Sequence, residues 1–170
     1  MKILCAIAPA RFRDEELLVP QQTFSDADVE TVVASTHTGT CEGMIGATAE
    51  ATVSFADVSP ADYNAIVVVG GIGAQDVLWN DAELKRLVQE FNGAGKVVAA
   101  ICLSPVVLAR AGILPGREAT VFRSPASIRE IEKGGARLSE RPVVTDGNVV
   151  TADGPSAAEE FARAILSLLL

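Results

Sequence analysis

The sequence predicts an α/β fold, a largely parallel sheet with helices on both faces, and three observations carry that expectation. Short apolar runs alternate with longer segments of helical periodicity along the 170 residues. The runs 65–69 and 97–101 are continuously apolar, as strands covered on both faces are. Helix-start and turn signals punctuate the alternation at Ser124-Pro125, Asp146-Gly147 and Gly154-Pro155.

Taken in order, residues 3–8 form a first strand. Residues 14–23 follow as a helix with Pro20 inside it or near its end. The β-branched stretch 29–35 is a strand. Residues 40–55, rich in Gly, Thr and Val, fit short strands or a hairpin. After strand 65–69 comes a helix over 80–91, with Asn80 as cap and Glu83 three residues on, as in a capping box. Strand 97–101 leads into helix 105–111. Residues 119–122 read as a strand, and Ser124-Pro125 opens a helix through Lys133, with Ser as cap and Pro at the first helical position. Strands 143–145 and 148–152 flank Asp146-Gly147 as a hairpin. Gly154-Pro155 introduces a last helix to about Leu169, where Phe161, Ala164, Ile165 and Leu168 recur at helical spacing. With no repeat, low-complexity tract or linker, the whole of residues 1–170 is expected to be one domain.

Composition narrows the function classes. The net charge is −8 and no basic cluster occurs, which argues against nucleic acid and against anionic membranes. One Trp and one Tyr leave little for stacking bases or sugars. Mean hydropathy is positive. Even so, the long uncharged run 97–109 falls short of the roughly 20 residues a membrane span requires. The apolar start, residues 1–10, reads as a strand and not a secretion signal. Cys5, Cys41 and Cys102 are odd in number and widely spaced, indicating neither a disulfide framework nor a zinc site. A single histidine, His37, excludes a histidine-rich metal centre, and the chain reads as cytoplasmic.

In a parallel α/β sheet the site lies beyond the carboxyl ends of the strands. Two loops qualify. At the first, an apolar run ends abruptly at Cys102 and a helix begins two or three residues later. A thiol there is held out of the sheet at the positive end of the following helix, which favours thiolate. A buried cysteine capping a core strand fits the same pattern. At the second loop, Gly70-Gly71 permits close backbone approach, and its free N–H groups can bind an oxyanion. The spacing is not GxGxxG and no helix is expected to open at once, so nucleotide phosphate is disfavoured.

Other residues stay open on the residues alone. Glu15 and Glu16 begin the first helix. They either face water and stabilise its dipole, or one points into the crevice beside Cys102. A carboxyl there is useful when protonated, since it then donates a hydrogen bond to sulfur. His37, among Ser35, Thr36, Thr38 and Gly39, reads as a surface histidine. Arg123, between a strand end and a helix start, either binds an anionic substrate group or is a solvated turn residue.

Four segments, in order and spacing, resemble the ThiJ/PfpI (DJ-one-like) superfamily over essentially the whole chain. Ala100-Ile101-Cys102-Leu103-Ser104-Pro105 is similar to its AIC-x-x-P nucleophile elbow. Val67-Val68-Val69-Gly70-Gly71 resembles the strand and double glycine before that elbow. Glu16-Leu17-Leu18-Val19-Pro20 resembles the acidic residue four positions before a proline, and 149–155 resembles the late strand with its Gly-Pro entry to the last helix. The resemblance implies a three-layer flavodoxin-like sandwich with Cys102 as nucleophile, Glu16 as its carboxyl partner, and the amides of Gly71 and Leu103 as oxyanion donors. It also suggests a homodimer. Three positions depart. Leu103 stands where members described as intracellular proteases commonly have histidine, Arg123-Ser124-Pro125 where others carry histidine-proline, and Val69 where proline is usual.

A Cys102–Glu16 dyad without histidine counts against peptide hydrolysis, whose leaving amine needs a proton donor. The resemblance instead implies glyoxalase- or deglycase-type action on small reactive carbonyls, with Gly70 and Arg123 on the substrate side. A redox-sensing or chaperone-like protein using Cys102 oxidation is the alternative, a PfpI-type cysteine peptidase ranks third, and a purely structural domain last. No cofactor is implied: there is no metal cluster, Rossmann fingerprint or P-loop.

Overall fold

The computed structural model describes residues 1–170. In chain order the elements are β1 (Lys2–Ala6), β2 (Ala10–Phe12), α1 (Asp14–Asp26), β3 (Glu30–Ser35), β4 (Gly39–Gly43), β5 (Thr48–Ala51), β6 (Val53–Ser54), β7 (Ala65–Val68), α2 (Ile72–Asp76), α3 (Ala82–Gly93), β8 (Val97–Ile101), α4 (Pro105–Arg110), β9 (Glu118–Ala119), α5 (Pro125–Lys133), β10 (Arg137–Leu138), β11 (Val143–Asp146), β12 (Val149–Ala152) and α6 (Ala158–Leu169).

Seven strands form the central sheet in the order β11-β12-β8-β7-β1-β3-β6, all parallel except β11. Every residue of β7, β8 and β12 is buried, which explains the unbroken apolar sequences of β7 and β8; in β12 the one polar residue, Thr151, accepts from the Thr120 amide. Helices α1 and α6 pack together, as do α3 and α4, giving the layers on either side of the sheet. Of the periodic residues of α6, Phe161 and Ile165 are buried in the core, with Ala162 beside them, whereas Ala164 is half-buried and Leu168 is exposed.

Register decides where chemistry can sit. Ala6 pairs with Val68, Val68 with Ala100, and Ile101 with Ala152. The loops after β1, β7, β8 and β12 therefore leave the sheet side by side at its carboxyl edge. Two small sheets decorate the body. In one, β2 runs parallel to β4, which pairs antiparallel with β5; in the other, β9 pairs with β10.

Several expectations need correction. Helix α3 is capped by Asp81, whose side chain accepts from the Leu84 amide at 2.8 Å. Asn80 instead ends a short 3-10 turn and accepts from Arg110 at 2.8 Å, and Glu83 pairs with Arg86 in place of a capping box. The strand expected over 119–122 stops at Ala119. Thr120 turns its amide to Thr151 Oγ1 at 3.0 Å, and Phe122 turns its amide to the Cys102 carbonyl at 2.8 Å, so this segment serves the elbow and not a ladder. A helix, α2, does open directly after Gly71. Helix α1 continues through Pro20 to Asp26; proline, lacking N–H, removes one internal hydrogen bond there without ending the helix.

Candidate functional site

Cys102 follows the last residue of β8 and has φ +65°, a left-handed conformation uncommon for a residue with a Cβ. Holding it costs on the order of 1–2 kcal/mol, and the surroundings supply the restraint. The Cys102 amide donates to Ala152 O at 2.9 Å, and its carbonyl accepts from Phe122 N at 2.8 Å. Ser104 donates its hydroxyl to Val69 O at 2.7 Å and its amide to Ile101 O at 3.1 Å. The Leu103 carbonyl accepts from the Trp79 indole at 2.8 Å. Four backbone groups of the bend, the Cys102 amide and carbonyl, the Leu103 carbonyl and the Ser104 amide, are thus tied to separate neighbours, while the Leu103 amide is left free.

The glycine pair makes room for the thiol. A Cβ at Gly70 would lie 2.6 Å from both Cys102 Cβ and Glu16 Oε1, and 2.5 Å from Ile101 O. Gly70 is therefore the spacer between the thiol and the carboxyl. Gly71, at φ +108°, leaves no room for a side chain against the backbone of residues 11–13, where a Cβ would meet Arg13 N at 2.5 Å. The Gly70 carbonyl accepts from Arg13 N at 2.9 Å, clamping this loop to the start of α1.

Three consecutive acids open α1, and they have three fates. Asp14 accepts from the amides of Ile45 and Ala47 at 3.2 and 2.8 Å, fastening the β4–β5 turn. Glu15 takes two hydrogen bonds from Arg13, at 2.8 and 3.0 Å, which hold its carboxyl below the usual range. Glu16 is fully buried, and neither of its oxygens has a hydrogen bond of ordinary geometry. Burial pushes it up to about 8, against the downward pull of the Cys102 thiol, the Gly70 amide and Arg13. Of the two glutamates, Glu16 is the one that is buried beside the Cys102 thiol.

Cys102 is 7% exposed. Burial first, and then the Glu16 charge, push its thiol up to about 12, while the amides of Gly71 and Leu103 pull it down. The expectation that a helix terminus holds this thiol low is thus corrected: desolvation beside an acid outweighs the terminus of the six-residue α4. Below the first ionisation the site is neutral, and one shared negative charge appears as that proton leaves.

Gly70, Gly71, Leu103, Glu16 and Cys102 come together. Arg123 is exposed and donates to Ser139 O at 2.9 Å. With Phe122, Asp153 and Gly154 it lines a cavity of about 330 Å³ beside the elbow's backbone anchors. His37 is exposed in the β3–β4 turn, against Thr36 Oγ1 at 2.9 Å. The larger cavity, about 480 Å³, lies among α3, α4 and α5 and not at the cysteine. Nowhere are three His, Cys, Asp or Glu side chains gathered to hold a metal ion, and no helix is long and apolar enough to cross a membrane.

Two neighbours of the site escaped the sequence reading. Arg13 is half-buried, and its charge acts on both Glu16 and Cys102. Its position just before the acidic triplet was the available signal. Trp79 reaches the elbow from 24 residues away. Being the chain's one tryptophan marked it, but nothing local showed its target.

A fold with its thiol on a tight bend at the carboxyl edge of a parallel sheet, facing a buried carboxyl, defines a class, and comparison places the chain in it. The chain belongs to the DJ-1/PfpI family, whose model matches residues 1–168. It is 49% identical over 168 residues to an uncharacterised protein of Methanocaldococcus jannaschii, covering 99% of this chain and 82% of that one. It is 33% identical to a deglycase of Thermococcus kodakarensis, with 99% of both covered. Among solved structures, a ThiJ/PfpI domain protein of Brachyspira murdochii superimposes with TM-score 0.95 at 33% identity, covering 99% of this chain and 95% of that one.

Proposed function

We propose that this protein is a cysteine-dependent enzyme of glyoxalase or deglycase type, acting on small reactive carbonyls through Cys102 and Glu16. The observation that carries this reading is a fully buried carboxyl without a hydrogen-bond partner, separated only by Gly70 from a cysteine held at φ +65°. The deglycase names of the Thermococcus kodakarensis and Pyrococcus furiosus relatives support it.

The pair shares one proton once the first has left, and although burial and the neighbouring carboxyl oppose a thiolate, the amides of Gly71 and Leu103 pull the charge toward sulfur, so that the minor thiolate–carboxylic acid form is the one that reacts. The sulfur of Cys102 bonds to the aldehyde carbon of an α-oxoaldehyde, and the carbonyl π electrons move to oxygen, which the two amides hold. Glu16 gives its proton to that oxygen, leaving a hemithioacetal and a carboxylate. The carboxylate removes the proton on C1, and the electron pair moves onto the neighbouring carbonyl as an enediolate. Glu16 gives that proton to the C2 oxygen and takes the one on the C1 oxygen, then delivers it to C2 as the C1 carbonyl re-forms, and a thioester results. Water cleaves the thioester, releasing the 2-hydroxy acid and restoring the thiol. A single carboxyl thus serves each proton transfer, which suits a site with leucine where histidine would stand. Gly70 and Arg123 lie on the substrate side of this scheme, and the working form is a cytoplasmic homodimer.

The test is turnover of methylglyoxal by the wild type beside Cys102→Ser and Glu16→Gln. Loss in both variants with retained fold supports the scheme; turnover surviving in Cys102→Ser removes it. Wild-type protein that gains two oxygens on Cys102 in mild peroxide, yet shows no carbonyl turnover, favours the redox-sensor alternative.

A further inference from the structure

We infer that Trp79 is a positioning residue for the elbow, holding the Leu103 peptide so that its amide stays aimed at the Cys102 sulfur. The inference rests on the reading of Cys102 as nucleophile and adds a residue outside the dyad and its oxyanion donors.

Leu103 lies between two demands. Its amide must face the sulfur, and its carbonyl, buried at the start of α4, must find a donor. Helix α4 cannot supply one, because Val107 N reaches back to Ser104 O instead. Trp79 supplies it: the indole Nε1–H donates to Leu103 O at 2.8 Å. Both residues are at most 8% exposed, so no water replaces this bond readily.

Trp79 is itself braced. The Arg110 guanidinium lies over its ring at 5.3 Å from the centroid. That guanidinium is fixed by Glu130, at 3.0 Å through Nε and 2.9 Å through Nη2. Its Nη1 donates to Asn80 Oδ1 at 2.8 Å and Trp79 O at 3.2 Å. Arg110 thus commits donors on all three nitrogens, Nε and Nη2 to Glu130 of α5 and Nη1 to the Trp79–Asn80 turn. The chain Glu130, Arg110, Trp79, Leu103 connects α5 through α4 to the nucleophile. Trp79, Arg110 and Glu130 line one side of the cavity of about 480 Å³.

Trp79→Phe keeps an aromatic face for Arg110, though a smaller one, and deletes the donor. The experiment is the pH profile of Cys102 alkylation by iodoacetamide, followed by peptide mass mapping, with thermal unfolding on the same samples. The expected result is a profile displaced to higher pH. Cys102 alkylation near neutral pH should be about three- to tenfold slower, the fold-change expected for one hydrogen bond. On methylglyoxal, kcat should fall by a similar factor with KM unchanged. Arg110→Gln should displace the profile in the same direction by less, and it serves where Trp79→Phe does not fold. Superimposable profiles in a folded variant would overturn the inference. Alkylation reads the aim of the amide whether or not the protein turns over carbonyls. Absence of wild-type turnover would therefore defeat the proposed reaction separately.

Discussion

Cys5 and Cys102 are both buried cysteines of the central sheet, and burial pushes both thiols up to about 12. Their surroundings are opposites. Cys5 sits inside β1, in register with Val33 on one side and Val67 on the other, and desolvation alone sets its acidity. Cys102 stands one residue past a strand end, with two amides, a carboxyl and the charge of Arg13 acting on it. A thiol's acidity by itself does not separate an inert cysteine from a reactive one. The groups poised to receive its charge do.

The sharpest way to break that comparison is to remove the elbow thiol. Cys102→Ser should lower methylglyoxal turnover by at least ~10³-fold, because hydroxyl is a far weaker nucleophile in the same place. Initial rates against a protein-free blank measure it. A residual rate within tenfold of wild type would mean that Cys102 resembles Cys5 after all.

Glu16→Gln comes next, with a loss of about 10²–10⁴-fold in kcat from removal of the proton carrier. The same variant tests the electrostatics through stability. The carboxyl ionises near 4.5 unfolded and at about 8 folded. Between these values the folded state binds the extra proton, so stability falls as pH rises and is level again above about 8. On that ground the wild type should lose on the order of 3–5 kcal/mol between pH 4.5 and 8.5 from this one group. Glutamine has no such titration, so the variant should gain on the wild type as pH rises. Urea unfolding at the two pH values decides, and parallel stability changes in both proteins would show that Glu16 is not held neutral.

Gly70→Ala probes the spacing between thiol and carboxyl. A methyl 2.6 Å from both groups must push them apart. A displacement near 1 Å at reacting atoms lowers kcat by roughly 10²-fold. Cys102 should still be the alkylated residue, with its rate altered; unchanged kcat in a folded variant would mean the pair does not work as a unit.

Much of this was legible in advance because it is local. Strand β8 matches the apolar run residue for residue, and α5 begins at the Ser124 cap followed by Pro125, where Ser127 completes the box. The family resemblance, not periodicity, chose Glu16 over Glu15, since both suit a first helical turn. What stayed hidden is long-range or short. Three-residue β2 contains Arg11 at φ +59° and pairs only because β4 lies alongside. The shift of the α3 cap from Asn80 to Asp81 follows from Arg110, which claims the Asn80 side chain. The Trp79 bond to Leu103 joins residues 24 apart, and no pattern along the chain encodes it.

Cys5 provides the smallest expected effect and the control for all the others. Cys5→Ser places a hydroxyl where neighbouring strands offer valines and every backbone group is already in a ladder. The destabilisation should be about 1–3 kcal/mol, read by urea unfolding. Cys5→Val fills the site with an apolar side chain of similar size and should cost less than about 1.5 kcal/mol. Neither change should alter kcat on methylglyoxal or the pH profile of Cys102 alkylation, because β1 meets the site only through the loop that follows it. If either variant reduced turnover while folded, the division between an inert strand cysteine and a reactive elbow cysteine would fail, and the chemistry would have to be sought deeper in the sheet.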